Sequence, residues 1–125
     1  MNGKTALTEA EWKIMQLLWE SGPLTMMEIT KALEEKTGWT KNTVTTLLKR
    51  MNQKGTVHVD ETGSVKRYYP NVEKKRVTKE QTDTLLKRLF SGKASLLVAN
   101  LVEQGNITEE EIKELMKILQ NASEK

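Results

Sequence analysis

Short polar and basic side chains recur between residues 41 and 50 at positions that share one face of a helix. They are Lys41, Asn42, Thr45, Thr46 and Lys49. An Asn amide can bond bidentately to adenine, Thr hydroxyls can donate or accept, and Lys ammonium groups pair with phosphates. The set therefore has the chemistry of a nucleic-acid contact. The same residue types also occur on ordinary solvated helix surfaces, so the elements around them must decide between the two readings.

The segment that carries these side chains is predicted to be an amphipathic helix over residues 40–54. Its apolar residues follow the i, i+3, i+4, i+7 pattern that places them on one buried face: Val44, Leu47, Leu48 and Met51. Thr40 is a suitable N-cap, and Gly55 is a suitable residue to end the helix. The opposite, polar face is left exposed, and any function of the helix belongs there.

Two further helices are predicted before this one. Each begins with the Thr and Glu of a capping box, Thr8 with Glu11 and Thr25 with Glu28. Residues 21–23 (Ser-Gly-Pro) end the first helix, and Leu24 is predicted as a very short strand. Only Thr37-Gly38 separates the second helix from the third. Two helices joined by a short Gly-containing turn are typical of a helix-turn-helix.

The sequence period changes to two immediately after Gly55. Residues 56–60 and 65–70 are rich in β-formers and flank a polar, Gly-containing tip at residues 61–64, which predicts a β-hairpin. A helix-turn-helix followed by a hairpin is the winged-helix arrangement. In that arrangement Lys66 or Arg67 of the hairpin can reach a phosphate backbone beside the third helix.

The helical period returns from Thr78 in three short segments, the last opened by a third capping box, Thr108 with Glu111. Residues 71–77 form the predicted boundary, giving domains 1–73 and 74–125. The tail carries more apolar side chains than about 48 residues can hide alone, so we predict dimerisation through Leu85, Leu89, Phe90, Leu97, Leu101, Ile112, Leu115, Met116 and Leu119. The alternative is that the tail packs on the N-terminal domain of its own chain.

Charge is concentrated in the middle of the chain. The net charge of the 125 residues is +3, but residues 39–76 hold nine Lys or Arg and three acids, a local +6, and the flanks sum to −3. A basic middle indicates a polyanionic partner such as duplex DNA. With no Cys and no apolar run of the roughly 20 residues that cross a bilayer, a cytoplasmic location without membrane insertion is expected.

Catalytic chemistry finds little support in the sequence. His58 is the single His, there is no Cys, and no Gly-rich phosphate loop is present. Neither a nucleophilic triad nor a transition-metal site can be assembled from the usual ligands. Paired carboxylates occur in capping positions and surface runs such as Glu109-Glu110-Glu111, where they complement the helix dipole. We expect a non-enzymatic protein with no metal or cofactor, although carboxylates brought together in a dimer are not excluded.

With these elements in place, nearly the whole chain resembles the penicillinase repressor family of the BlaI/MecI type. The residues that carry the resemblance are Leu7–Trp12, Met15, Leu18–Trp19, Trp39–Thr40, Thr43–Val44, Leu47–Gly55, Gly63, Tyr68, Pro70–Asn71, Phe90, Gly92, Glu110–Ile112 and Leu115. The expected fold is mainly α with a small β-hairpin wing: a winged helix-turn-helix domain followed by a C-terminal three-helix dimerisation domain. The thiolate copper site of a related branch is excluded because Cys is absent.

The resemblance implies a homodimeric repressor on a palindromic operator, relieved when a membrane-bound sensor protease responds to a β-lactam antibiotic. In that family the repressor is cleaved between an Asn and a large apolar residue, and Asn100-Leu101 occupies the matching place. Asn100 can equally be a polar helix residue near the surface. Relief by another signal remains an alternative.

The residues expected to contact the operator are Lys41, Asn42, Thr43, Thr45, Thr46, Lys49, Arg50, Lys66 and Arg67. The first five lie near the start of the third helix, where bases or adjacent phosphates are read, and the last four are expected to hold the backbone. A protein-interaction scaffold built on a winged helix is the alternative from a different functional class. Salt-dependent binding to duplex DNA distinguishes the two.

Overall fold

The structure is a computed structural model that describes residues 6–124. It contains helices α1 (Glu9–Ser21), α2 (Met26–Thr37), α3 (Lys41–Lys54), α4 (Lys74–Phe90), α5 (Ala94–Glu103) and α6 (Glu109–Ser123), and strands β1 (Leu24–Thr25), β2 (Val57–Asp60) and β3 (Arg67–Pro70). The chain divides into two compact units after Thr82, inside α4. The functional boundary expected after residue 73 stays a prediction.

The helix starts in the first unit follow the predicted caps. In α1 the Glu11 amide donates to Thr8 Oγ1 at 3.1 Å, and the Thr8 amide donates to Glu11 Oε1 at 3.0 Å. Thr25 and Glu28 form the same box at α2. Thr40 caps α3, and Gly55 ends it at a φ of 87°, which a residue with a Cβ adopts only with strain.

The strands form one antiparallel sheet in the order β1-β3-β2. Tyr68 of β3 is paired with Leu24 on one side and Val59 on the other. The predicted hairpin of β2 and β3 is confirmed, and the two-residue strand β1 is the third strand of the sheet. Tyr68 is buried while Tyr69 is half-buried, so only Tyr68 packs fully into the core.

The core of the first unit lies between α1, α2, α3 and the sheet. The predicted apolar face of α3 is buried in full, and its residues share one cluster with Ile14, Met15, Leu18, Ile29, Leu33, Val57 and Tyr68. Burying four such side chains stabilises the helix in its place by roughly 1.5–3 kcal/mol each. Trp19 donates from Nε1 to the Val72 carbonyl at 2.9 Å, which ties the chain leaving the wing to α1.

Helix α4 begins at Lys74, four residues before the predicted start at Thr78. The run Lys74-Lys75-Arg76 has no apolar periodicity, so the sequence pattern indicated a linker there. Val77 is fully buried and its amide donates to the Glu73 carbonyl at 3.1 Å, which extends the helix back through the basic run. The basic residues thus project from a helix.

The second unit contains the remainder of α4 with α5 and α6, and α6 begins with the predicted Thr108–Glu111 capping box. No residue of α5 or α6 within the described chain is buried. The exposed large apolar residues include Leu89, Leu96, Val102, Ile112, Met116, Ile118 and Leu119, with Met116 at 65% and Leu119 at 61%. None of the described helices is long and apolar enough to span a bilayer.

Candidate nucleic-acid interface

The polar face of α3 is turned to solvent. Asn42, Thr46 and Lys49 are all exposed, on the side opposite the four core residues. None of the described residues hydrogen-bonds the side-chain amide of Asn42, so its NH₂ donor and its Oδ1 acceptor are both available to an outside partner. The buried apolar residues determine which side of α3 packs against the core. The polar residues are therefore on the side that faces solvent and is accessible to a partner.

Two Thr hydroxyls on this face bond back to their own helix. Thr45 Oγ1 donates to the Lys41 carbonyl at 2.8 Å, and Thr46 Oγ1 donates to the Asn42 carbonyl at 3.0 Å. Thr45 Oγ1 also lies 3.6 Å from Met26 Sδ, a second possible acceptor. While a hydroxyl donates to its own helix, its oxygen can only accept from an outside partner. Thr43 is also exposed, but its amide is bonded to the Thr40 cap, which places it at the helix N-terminus.

A groove separates α3 from the wing. Its lining includes Thr45, Lys49 and Asn52 on the helix and Val59, Glu61, Lys66 and Tyr68 on the hairpin. Lys49 and Lys66 thus line the same groove. Their contact with a phosphate backbone stays a prediction. Asn52 is not among the expected residues. Extending the polar face by one turn beyond Lys49 would have found it, because Asn52 is one turn further along the same flank of the helix.

The two basic residues of the wing have different surroundings. Lys66 Nζ lies 3.5 Å from Glu61 Oε1, and both side chains are more than half exposed, so the pair is weak and can yield to a phosphate. Arg67 is paired in the sheet with Thr25 on one side and Asp60 on the other. Arg67 also interacts electrostatically with the carboxylates of Glu28 and Asp60.

The carboxyls near Arg67 are held in their charged form. Hydrogen bonds from Thr25 are the main reason that the pKa of Glu28 is lowered, and the charge of Arg67 contributes. Hydrogen bonds from Thr62, at 2.9 Å from its amide and 2.7 Å from its hydroxyl, do the same for the pKa of Asp60, again with a contribution from Arg67. The charge of Arg67 is thus partly balanced within the protein.

Arg50 and Lys54 lie on the other flank of α3. Arg50 is exposed, yet its charge helps to lower the pKa of Glu11. Lys54 Nζ contacts the Glu11 carboxylate directly at 2.7 Å. The basic residues of the helix are therefore divided between the groove side, with Lys49, and the side nearest α1.

His58 is exposed on β2, with its ring centre 6.2 Å from that of Tyr69. Within the part of the chain that the structure describes, no group of three or more His, Cys, Asp or Glu side chains could hold a metal ion.

The residues expected to act in dimerisation and cleavage lie in the second unit. Leu89, Ile112, Met116 and Leu119 are exposed, whereas Leu85, Phe90, Leu97, Leu101 and Leu115 are half-buried. The Asn100-Leu101 bond lies inside α5. The Asn100 carbonyl accepts from the Gln104 amide and the Leu101 carbonyl from the Asn106 amide, each at 3.0 Å, so the bond is held in helical geometry.

Comparison with known proteins gives a match to the family model described as penicillinase repressor over residues 7–121. The penicillinase repressor of Bacillus licheniformis is 28% identical over 114 residues, which cover 91% of this chain and 89% of that protein. The methicillin resistance regulatory protein MecI of Staphylococcus aureus (strain N315) is 27% identical over 120 residues, which cover 95% and 98% of the two chains.

Two solved structures share the fold. One is the solution structure of the DNA-binding domain of the repressor BlaI, with a TM-score of 0.52 and 27% identity over 59% of this chain and 90% of that one. The other is the Bacillus licheniformis BlaI monomeric form in complex with the blaP half-operator, with a TM-score of 0.51 and 28% identity, covering 55% and 84%.

Proposed function

The chain belongs to the penicillinase repressor family, and we propose that it represses transcription as a homodimer that binds a palindromic operator in duplex DNA. The observation that carries the proposal is the polar face of α3. Its Asn42 side-chain amide and the hydroxyl oxygens of Thr45 and Thr46 can meet base edges, while the opposite face is buried in the core. The related BlaI monomer was solved in complex with a half-operator.

The DNA backbone is proposed to pass through the groove between α3 and the wing. Lys49 and Lys66 would contact its phosphates, and Lys41, Thr43, Asn52, Arg50 and Arg67 would add contacts at the edges. Arg67 is the weakest of these, because Glu28 and Asp60 already share its charge. Base contacts near the start of α3 would then determine which operator sequence is bound, and phosphate contacts would fix the position and orientation of the protein on the duplex.

A second copy of the chain is the proposed cover for the second unit. Large apolar patches are rare on the surfaces of soluble monomers, and α6 alone exposes Met116, Ile118 and Leu119 by about 60% each. A two-fold dimer pairs the same patch on both chains. It also presents two copies of α3, which fit half-sites about 34 Å apart or a small multiple of that distance.

Cleavage of the Asn100-Leu101 bond is the proposed route to derepression. A membrane-bound sensor protease would act on it directly or through another protease, after the antibiotic or another signal arrives. Because both carbonyls are in helical hydrogen bonds, α5 must unwind locally before a protease can bind it as an extended chain. The cut would separate α6 and its exposed apolar face from the DNA-binding unit.

The experiment begins with selection of duplexes from a random pool by the wild-type protein. The enriched palindrome is then titrated with an Asn42→Ala/Thr46→Ala variant. We expect an affinity loss of about 1–3 kcal/mol for each base contact removed. Circular dichroism and sedimentation should show the variant folded and dimeric.

Thr78→Ala, an exposed Thr of α4, serves as the control and should keep wild-type affinity. Unchanged binding by the α3 variant would refute the assignment of α3 as the reading helix. Absence of any duplex binding at low salt would favour the protein-interaction scaffold.

A further inference from the structure

Lys54, the last residue of α3, contacts the N-terminal end of α1 and the residues before it. Its Nζ lies 2.7 Å from Glu11 Oε1 and donates to the Ala6 carbonyl at 3.1 Å. Ala6 precedes α1, and Glu11 belongs to its first turn. One ammonium group therefore joins the C-terminal end of α3 to the N-terminal end of α1.

Glu11 is a fixed anchor for this ammonium group. Its side chain is completely buried, and its Oε1 also accepts the Thr8 amide of the capping box at 3.0 Å. The other oxygen, Oε2, is buried with no hydrogen-bond partner among the described residues. The carboxylate is therefore held in place by α1 and relies on Lys54 for its neutralisation.

Lys54 lies away from the face of α3 that carries Asn42 and Thr46. Twelve residues separate it from Asn42, which at about 100° per residue puts the two side chains roughly 120° apart around the helix. Its side chain is only 28% exposed, whereas Lys49 on the polar face is exposed. The Lys54 ammonium group is instead paired with the Glu11 carboxylate and the Ala6 carbonyl.

Apolar packing alone leaves α3 some freedom to tilt or slide, because it is non-directional. Residues 42 to 54 span about 18 Å of helix, so a tilt of roughly 5° about one end moves the other by about 1.5 Å. Hydrogen bonds to base edges tolerate only a few tenths of an ångström. A short, directional ion pair at the end of α3 removes that freedom.

We propose that the Glu11–Lys54 ion pair is a positioning contact, which fixes the placement of α3 so that Asn42 and Thr46 meet the operator without the pair itself touching DNA. The inference rests on the proposed function. It assigns to Lys54 a role in sequence discrimination and none in phosphate binding.

The test compares full-length Glu11→Gln, Lys54→Met and the double variant Glu11→Gln/Lys54→Met on two 30-base-pair duplexes, the wild-type-selected palindrome and a scrambled sequence. Gln keeps the capping box and removes only the charge. Lys54→Met leaves a buried carboxylate unpaired and can unfold the unit, so the double variant, with neither charge, is decisive. Trp fluorescence and circular dichroism at the assay temperature report folding.

For the folded variants we expect a loss of about 5- to 150-fold on the palindrome, equal to one well-made base contact, and less than about twofold on the scrambled duplex. The slope of log affinity against log salt should stay at its wild-type value. The control Lys49→Met should reduce the magnitude of that slope by about 1.8 on both duplexes, because each of the two chains loses one phosphate contact worth about 0.9. Lys54→Arg should restore most of the discrimination, because the ion pair is kept.

Wild-type affinity of the folded double variant for the palindrome would overturn the inference, since a pair that only stabilises the fold does not alter binding by folded protein. A slope reduced in magnitude by about 1.8 in Lys54→Met would also overturn it, because Lys54 of each chain would then be a phosphate contact worth about 0.9. Failure of the wild-type protein to enrich any duplex would instead overturn the proposed function, and this inference with it.

Discussion

At the scale of single residues, the hydroxyls of Thr45 and Thr46 show how backbone bonding shapes a reading surface. Each donates to the carbonyl one turn earlier, and while that bond is kept its oxygen can only accept. The exocyclic amino groups of adenine and cytosine are the base-edge donors of the major groove. We therefore expect the enriched operator to place adenine or cytosine amino groups opposite these two positions.

Acid should destabilise the first unit through Glu11. Burial raises the pKa of Glu11, but the ion pair with Lys54, the bond from Thr8 and the charge of Arg50 outweigh it, and the net pKa lies below its usual 4.5. A folded-state pKa below the unfolded one contributes stability that is fully present above about pH 4.5. That stability is lost as the pH falls through the lowered value.

The measurement is the free energy of unfolding in urea, followed by Trp fluorescence between pH 7 and pH 3. Wild-type protein should lose stability on acidification, and Glu11→Gln should lose less because one of the titrating groups is gone. Glu34→Gln, at an exposed position of α2, should follow the wild-type curve. Identical pH profiles for wild type and Glu11→Gln would contradict the assignment.

At the scale of elements, what the sequence could predict was set by local chemistry. Helices α1, α2 and α6 were predictable because each begins with a capping box formed by side chains three residues apart. The ends of α2 and α3 were predictable because Gly38 and Gly55 adopt a positive φ that favours glycine. The start of α4 was not, because Val77 is the only apolar residue of its first turn. The ion pair between Lys54 and Glu11 was not predictable, because the two residues are 43 positions apart in the sequence.

The groove between α3 and the wing should dominate the salt dependence of DNA binding. Removing both of its Lys charges, Lys49→Met/Lys66→Met, should reduce the magnitude of the slope of log affinity against log salt by about 3.6, because each lost phosphate contact is worth about 0.9 and the dimer loses four. Fluorescence anisotropy from low to moderate salt measures the slope. The matched control is Lys117→Met on α6, which should leave the slope unchanged; equal slopes for all three proteins would remove the groove from the interface.

At the scale of the whole molecule, the two units differ in what they leave exposed. The first exposes a basic, polar face on a well-packed core, and the second exposes large apolar side chains on α5 and α6. The sequence predicted both kinds of surface from charge and periodicity. Local periodicity marks the apolar faces of α5 and α6, but it does not identify the surface that packs against them, because that contact involves residues far apart in sequence or in another chain.

Truncation after Asn100 should separate the two functions. The fragment keeps every residue of the first unit and loses α6, so its winged-helix fold should persist while the link between two reading helices is lost. Linking two half-sites typically raises affinity by about 10²–10⁴-fold, so we expect a loss of that order on the palindrome. Gel-shift titration beside the intact chain measures it, and full affinity in the fragment would contradict the proposed route to derepression.

The most direct test of the account is a count of chains on DNA by sedimentation velocity, using the selected palindrome and a duplex that carries one of its half-sites. We predict two chains on each palindromic duplex, bound about 10²–10⁴-fold more tightly than the single half-site. One chain on the palindrome, with equal affinity for both duplexes, would contradict a paired repressor.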